Sequence, residues 1–343
     1  MKILVTGGAG YIGSHVVKQL LEFTEYEIVI LDNLSTGRES TLETLKSIRD
    51  FTFIKRDLKE FHEVENILQD NDIDTIIHFA ASIIVPESVE NPAKYYMNNT
   101  VNTTNLIKCA SENGVKRFVF SSTAAVYGEP KPEIQNIKFK IDESHATKPI
   151  NPYGWSKLMS ERVLQDTSKA AGEMKYVIFR YFNVAGADIH YKQSTVIKPR
   201  IGQSTPNATH LIKIASECAA GKRDKMYIFG DDYPTEDGTC IRDYIHVDDL
   251  ADAHIRAIKY LENNPSDIFN CGYGKGYSVK EVIDVMKKVT GIDFEVEISD
   301  RREGDPAVLV SDNKKIKSSM NWQPKYDNLE IICKSAYEWE KAG

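Results

Sequence analysis

Tyr153 and Lys157 are the residues of this chain best suited by type and spacing to move a proton. They fall in the stretch Asn151-Pro152-Tyr153-Gly154-Trp155-Ser156-Lys157. Pro152 suits the first position of a helix, and Asn151 suits the N-cap before it. In such a helix Tyr153 and Lys157 lie one turn apart on the same face. An ammonium there stabilises the phenolate and draws the tyrosine below its free pKa of about 10. Tyr153 then becomes a general base near neutral pH. The same spacing also describes a half-buried ring beside a surface charge, so the rest of the chain has to supply the reason for chemistry.

That reason begins at the N-terminus. Lys2-Ile3-Leu4-Val5-Thr6 reads as a strand, and Gly7-Gly8-Ala9-Gly10-Tyr11-Ile12-Gly13 follows it as a turn. Val16, Val17, Leu20 and Leu21 then recur at helical spacing. Strand, glycine turn and helix in this order form a dinucleotide fingerprint. Gly7 permits the tight turn, Gly10 lets a pyrophosphate approach the backbone, and Gly13 allows close helix–strand packing. The helix N-terminus faces the anion. A second apolar run over residues 27–31 ends in Asp32, near the position of a carboxylate that grips a ribose 2′-hydroxyl. Asp32 favours NAD over NADP, whose 2′-phosphate would meet a like charge.

Further strand candidates lie at 51–55, 75–79, 117–121 and 176–180, with amphipathic segments such as 64–70 and 101–113 interspersed. Strands alternating with helical patterns predict a doubly wound parallel α/β sheet. Asp57, Leu58, Phe79, Ala80 and Ala81 would line its carboxyl edge, where such folds bind ligands. After Asn183 the rhythm weakens and turns increase, which predicts a second, smaller α/β domain. Residues 1–183 are assigned to NAD binding, with 239–262 returning to that domain. Residues 184–238 and 263–343 form the other.

Composition narrows the classes. The chain has 343 residues, 41% hydrophobic and 27% charged, with a net charge of −7 and no basic block. Neither a nucleic-acid surface nor an anionic membrane surface is indicated. No run approaches the ~18 apolar residues of a membrane span. Cys109, Cys218, Cys240, Cys271 and Cys333 are scattered and never form CxxC, which fits reduced thiols in a cytoplasmic protein. The eight histidines show no metal-ligand spacing, so no metal is expected.

Taken together, these motifs resemble the extended short-chain dehydrogenase/reductases, and within them the UDP-glucose (UDP-galactose) 4-epimerase family. The likeness spans nearly the whole chain: the fingerprint at 6–13, Tyr95-Tyr96 with Asn99, residues 120–128, 151–157 and 180–183. It continues through the block 229–250, with its DYPTEDGT and RDYIHV portions, and residues 301–305. The resemblance implies that Tyr153 takes the proton of the sugar 4-hydroxyl while C4 gives hydride to tightly held NAD. The 4-keto sugar turns over in the pocket and receives hydride on its other face. Lys157 would lower the Tyr153 pKa and bond the nicotinamide ribose, and Thr123 would complete the proton path. Ala124-Ala125 stand where related 4,6-dehydratases carry an Asp-Glu pair and decarboxylases a Glu, leaving oxidation and return as the chemistry.

By the same resemblance NAD contacts come from Gly7, Gly10, Tyr11, Ile12, Gly13, Asp32, Asn33, Asp57 and Leu58. Phe79, Ala80, Ala81, Asn99, Tyr153, Lys157 and Phe182 complete that set. The UDP-sugar would meet Thr123, Tyr153, Asn183, Leu211, Tyr227, Phe229, Arg242, Arg302 and Asp305. Two arginines suit a diphosphate, and Asp305 would accept ribose hydroxyls. The chain departs from the family pattern at Thr123 (commonly Ser), His210 (usually Asn) and Ile84 (often Lys). Leu309 occupies the place that gates an N-acetyl group, and leucine there is compatible with dual UDP-glucose/UDP-N-acetylglucosamine activity. The alternatives are a 4-epimerase of N-acetylated or uronic UDP-sugars, or a non-catalytic NAD-binding protein. A homodimer through helices of the large domain is also implied.

Overall fold

Aliphatic and β-branched runs bounded by turns become the strands of a seven-stranded sheet. Its members are β1 (Lys2–Thr6), β2 (Glu27–Asp32), β3 (Thr52–Lys55), β4 (Thr75–His78), β5 (Arg117–Thr123), β6 (Lys175–Tyr181) and β12 (Asp267–Cys271), in the order β12-β6-β5-β4-β1-β2-β3. The pairs β1–β2, β1–β4, β2–β3 and β4–β5 are all parallel. Every residue of β4 is buried, and β1 is buried after its first residue, as expected when helices cover both faces. The computed structural model describes all residues except 130–138, 190, 193–195, 207, 303, 304 and 343. Glu303 and Gly304 of the charged run at 301–305 thus lie outside the described residues.

One core cluster of the large unit joins Leu4, Val29, Ile76, Phe118 and Ile178 from five strands to Leu106, Ile107 and Leu164 from two helices. Burying each such side chain contributes about 1.5–3 kcal/mol. The reversal of strand order falls beside β1, and the carboxyl ends of β1 and β4 there carry the glycine turn and Phe79-Ala80-Ala81.

The chain divides into two units. The first comprises Met1–Val126, Thr147–Arg180 and Ala251–Phe269; the second comprises Tyr127–Ala146, Tyr181–Leu250 and Asn270–Gly343. In the second, β11 (Ile241–His246) pairs in parallel with β7 (Asn183–Ala185) and β15 (Val308–Leu309), and antiparallel with β13 (Gly276–Ser278). β10 (Lys225–Phe229) pairs with β14 (Glu295–Ser299), and β8 (Tyr191–Lys192) with β9 (Val196–Ile197).

These boundaries differ from the sequence expectation in three places. The first cut falls after Arg180 rather than Asn183, because Asn183 already starts β7. Residues 127–146 belong to the second unit, since Ile141 donates its N–H to Val310 O (2.8 Å) and accepts from Asp312 N–H (2.7 Å). The segment returning to the first unit is Ala251–Phe269, not 239–262, because β11 is spent on the second unit's sheet.

Candidate active site

The helix expected to carry the chemistry is Pro152–Ala171, with Pro152 at its start. The Asn151 side chain caps it, accepting Gly154 N–H at 2.9 Å. This fixes where the helix begins and so the direction of Tyr153. Gly154 is required for the docking: a Cβ there would stand 2.7 Å from Ala125 O. Hydrogen bonds tie the helix to the π-helical segment Tyr96–Val101, and that segment to the loop after β4. Asn99 Nδ2 donates to Ser156 Oγ (3.0 Å) and Ser82 O (2.9 Å), while its Oδ1 accepts Ser82 N–H (2.8 Å). Ser160 Oγ donates to Asn99 O at 3.0 Å. Asn99, expected against the cofactor, gives its side-chain N–H groups to the helix and to the loop after β4.

Thr123 ends β5 and hydrogen-bonds Tyr153. Its Oγ1 accepts Ala125 N–H at 3.1 Å, which leaves the hydroxyl hydrogen to donate to the phenol. Burial pushes the Tyr153 phenol above its ordinary pKa, and the bond from Thr123 opposes that rise. Lys157 is buried, its Nζ donating to Ser121 O at 2.8 Å and lying 5.1 Å from the centre of the Phe120 ring. Burial pulls Lys157 down to about 7. Lys157, expected to lower the Tyr153 pKa, is thus engaged by the strand. The lysine is turned to the β5 carbonyl, and the downward influence on the phenol comes from Thr123.

At the glycine turn Gly7 adopts φ +71°, where a Cβ would meet Ala80 N at 2.7 Å. A Cβ on Gly13 would lie 2.2 Å from Gly7 O, whereas one on Gly10 would meet only Gly7 O, at 3.2 Å. The space before Gly10 is therefore open while that behind Gly13 is filled. Helix Tyr11–Phe23 starts there with no side-chain cap and no acidic residue in its first turn. The backbone N–H groups of its first turn fit a pyrophosphate. Asp32 is buried at the end of β2 and accepts Ala9 N–H (3.0 Å) and Leu34 N–H (2.8 Å). One bond to each oxygen leaves both with a lone pair for ribose hydroxyls. Asn33 Nδ2 donates to Asp57 Oδ2 at 2.9 Å beside the buried Leu58. Phe79 continues from β4, its N–H on Thr6 O, and its ring lies 5.0 Å from that of His254. Residues of this kind can hold NAD. His78, on β4, is a satisfied core histidine between Thr6 and Thr103 hydroxyls.

The expected sugar-nucleotide residues stand in the second unit. The Arg302 guanidinium lies 3.7 Å from the centre of the Phe229 ring, and burial lowers its pKa. Arg242 donates to Asp305. Asp305, expected to receive ribose hydroxyls, accepts this bond from the arginine. Leu309 pairs in register with Arg242 across β15 and β11, which puts the two side chains on the same sheet face. Asn183 opens β7, Leu211 opens helix Leu211–Ala219, and Tyr227 is on β10, 42% exposed with its ring 6.4 Å from that of Phe229. Phe182, expected at the cofactor, belongs to the second unit, with its N–H on Cys271 O at 3.1 Å.

Ser122, Glu161 and Arg180 join the catalytic cluster without having been singled out in the sequence. Arg180 Nη2 donates to Glu161 Oε2 at 2.7 Å, and the Ser122 hydroxyl donates to Glu161 Oε1. The available signal was Glu161's spacing, one further turn beyond Lys157 on the same face. All five cysteines are buried and free. Among the described residues no cluster of His, Cys, Asp or Glu could hold a metal ion, and no helix is long and apolar enough to cross a membrane.

Comparison with known proteins gives the family. The model of the NAD dependent epimerase/dehydratase family matches residues 3–272. A UDP-glucose 4-epimerase from Halalkalibacterium halodurans is 46% identical over 342 residues, which cover 99% of this chain and 96% of that protein. The solved UDP-Glc/GlcNAc 4-epimerase of Campylobacter jejuni is 57% identical with a TM-score of 0.85, covering 100% of this chain and 99% of its own. The UDP-glucose 4-epimerase of Bifidobacterium longum, solved with NAD+ and UDP, has a TM-score of 0.91 at 34% identity, covering 100% and 98% respectively. Matched by the family model over residues 3–272 and by relatives over nearly its whole length, the chain belongs to the NAD dependent epimerase/dehydratase family.

Proposed function

We propose that the protein interconverts UDP-glucose and UDP-galactose by NAD-dependent 4-epimerisation. The observation that carries this reading is Lys157, buried one turn beyond Tyr153 on a capped helix, with its ammonium on Ser121 O near the end of the strand that Thr123 closes. Bound NAD supplies a reversible hydride acceptor. The chain's own residues do the rest. The glycine turn and Asp32 anchor the dinucleotide, and Tyr153 takes the proton of the sugar 4-hydroxyl and returns it on the way back. Thr123 holds the phenol by its hydroxyl, and Lys157 bonds the nicotinamide ribose. Arg242 and Arg302 take the diphosphate, with Asp305 and Phe229 beside them. With Ala124 and Ala125 after Thr123, no further acid stands on that strand end for elimination.

Acceptance of N-acetylated UDP-sugars is a second reading, favoured by the register of Leu309 with Arg242. A branched, flexible side chain at that point leaves more room than an aromatic ring. A proton NMR time course with UDP-galactose and with UDP-N-acetylgalactosamine in separate tubes tests both. Conversion of both supports the wider specificity, and conversion of UDP-galactose alone removes it. Failure of both with NAD supplied defeats the epimerase assignment.

The same reading extends to assembly and location. Met97 (58% exposed), Val101 (36%), Trp155 (39%) and Met159 (42%) form an apolar surface on the catalytic helix and the π-helical segment beside it. A second copy of the chain is its occupant, giving a homodimer, and Met159→Glu should yield monomers in light scattering. Buried free thiols suit a cytoplasmic protein.

A further inference from the structure

Tyr153, Lys157 and Glu161 recur at one-turn spacing on helix Pro152–Ala171, and each reaches a different residue at the end of β5. Tyr153 meets the Thr123 hydroxyl, Lys157 Nζ meets Ser121 O at 2.8 Å, and Glu161 receives the Ser122 hydroxyl. The first two serve the epimerisation proposed above; the third has no part in it so far. Glu161 is 0% exposed, a position that costs a carboxylate several kcal/mol unless it is paired. Arg180 on β6 supplies the pairing, with Nε on Oε1 at 3.1 Å and Nη2 on Oε2 at 2.7 Å. A buried ion pair adds little stability over an apolar pair of the same volume. Its place one turn from Lys157 therefore calls for another explanation.

We propose that Glu161 is a positioning residue of the reaction: clamped by Arg180, it fixes the Ser122–Thr123 end of β5 against the helix and supplies the negative charge that keeps Lys157 protonated. The inference rests on the epimerase reading. The other groups around Lys157 cannot supply that charge. Phe120 offers a ring face and Ser121 a carbonyl. His78 on β4 is neutral, driven down to about 3 by burial and by Lys157 itself. Tyr153 carries charge only in the phenolate form that the reaction uses, so it supplies no standing charge, and the charge of Arg180 is bound to Glu161. Burial, the largest influence, lowers Lys157 to about 7, and the Glu161 carboxylate works against it.

Glu161→Gln keeps the side-chain shape and removes the charge. It also strands Arg180, so the double variant Glu161→Gln/Arg180→Met, neutral and of similar volume, is made alongside. The readout is kcat for UDP-galactose against pH. Either folded variant should move the alkaline limb about one unit to the acid side. Its loss of kcat should then be roughly tenfold greater at about pH 8 than at about pH 6, with KM unchanged. Ser122→Ala keeps the charge and removes the tether, so it should lower kcat evenly across pH, and Ser122→Thr should restore it. A folded charge-removing variant with the wild-type alkaline limb overturns the proposal. So does loss of folding in both variants, which would mark a purely structural pair. A wild-type protein that converts no UDP-galactose defeats the epimerase reading itself, and this inference with it.

Discussion

The glycine turn allows a sharp separation of two roles that a dinucleotide site usually confounds, holding the fold and admitting the ligand. Gly13→Ala would place a methyl 2.2 Å from Gly7 O and 2.9 Å from Gly7 C, both of them backbone atoms. That carbonyl also receives the Gly10 N–H at 3.1 Å, so it cannot retreat without opening the turn. An overpacked methyl of this kind costs about 1–3 kcal/mol, and a rigid neighbour favours the upper end. Gly10→Ala is the opposite case. Gly10 has φ −77° and ψ 178°, ordinary for alanine, and its Cβ would meet only Gly7 O, at 3.2 Å. Its effect on stability should stay within about 1 kcal/mol, since an Ala is a poorer helix cap but a stiffer unfolded chain. The new methyl does, however, fill the space a pyrophosphate needs. Urea unfolding of NAD-free protein, paired with NAD titration by tryptophan fluorescence, separates the two. Gly13→Ala should unfold earlier, whereas Gly10→Ala should unfold near wild type and bind NAD at least tenfold more weakly. A Gly10→Ala protein with wild-type NAD affinity would refute the assignment of this turn to the pyrophosphate.

Thr123→Val should lower kcat by roughly 10²-fold by removing the donor to Tyr153, whereas Thr123→Ser should keep most activity; equal losses would exclude a role for the hydroxyl. Leu309→Tyr should abolish conversion of UDP-N-acetylgalactosamine and spare UDP-galactose, as read by NMR. Lys157→Met should be inactive, and its stability relative to wild type should depend on pH. Burial depresses Lys157 to about 7, so between there and the free lysine value the unfolded chain binds more protons than the folded one. Wild type should therefore gain stability on Lys157→Met as pH rises through that window, and parallel pH–stability curves would contradict the buried ammonium.

Local signals made much of this architecture legible. β1, the glycine turn and the first helix are consecutive, and each is dictated by the residues it contains. The start of the catalytic helix was equally readable, because Asn151 and Pro152 are capping residues acting on their immediate neighbours. What the sequence did not disclose depends on distant partners. The assignment of 127–146 to the second unit rests on Ile141 pairing near Ser311, and nothing in a short polar stretch announces that bridge. The seventh strand, β12, was missed because Asp267–Cys271 is a brief run in a region already read as irregular. Asn99 and Asp305 were correctly seen as polar residues of the right kind, yet their partners, Ser156 and Arg242, are far along the chain. The direction of the Tyr153 pKa depends on how deeply the helix beds against β5. Spacing alone carries no measure of depth.

The Arg242–Asp305 pair bears on how substrate arrives. The chain carries a net charge of −7, and a pyrophosphate-bearing sugar is itself anionic. With Arg242 already neutralised by its carboxylate, long-range attraction gives little help in gathering substrate from solution. On the function proposed above, capture is decided at contact, where the diphosphate would take the place of Asp305 beside Arg242. Added salt loosens that pair and competes with the incoming phosphate at once, so the two effects offset. The association rate should accordingly be nearly flat with ionic strength. Selectivity among nucleotide sugars then comes from the fit achieved during the exchange, rather than from the rate of encounter.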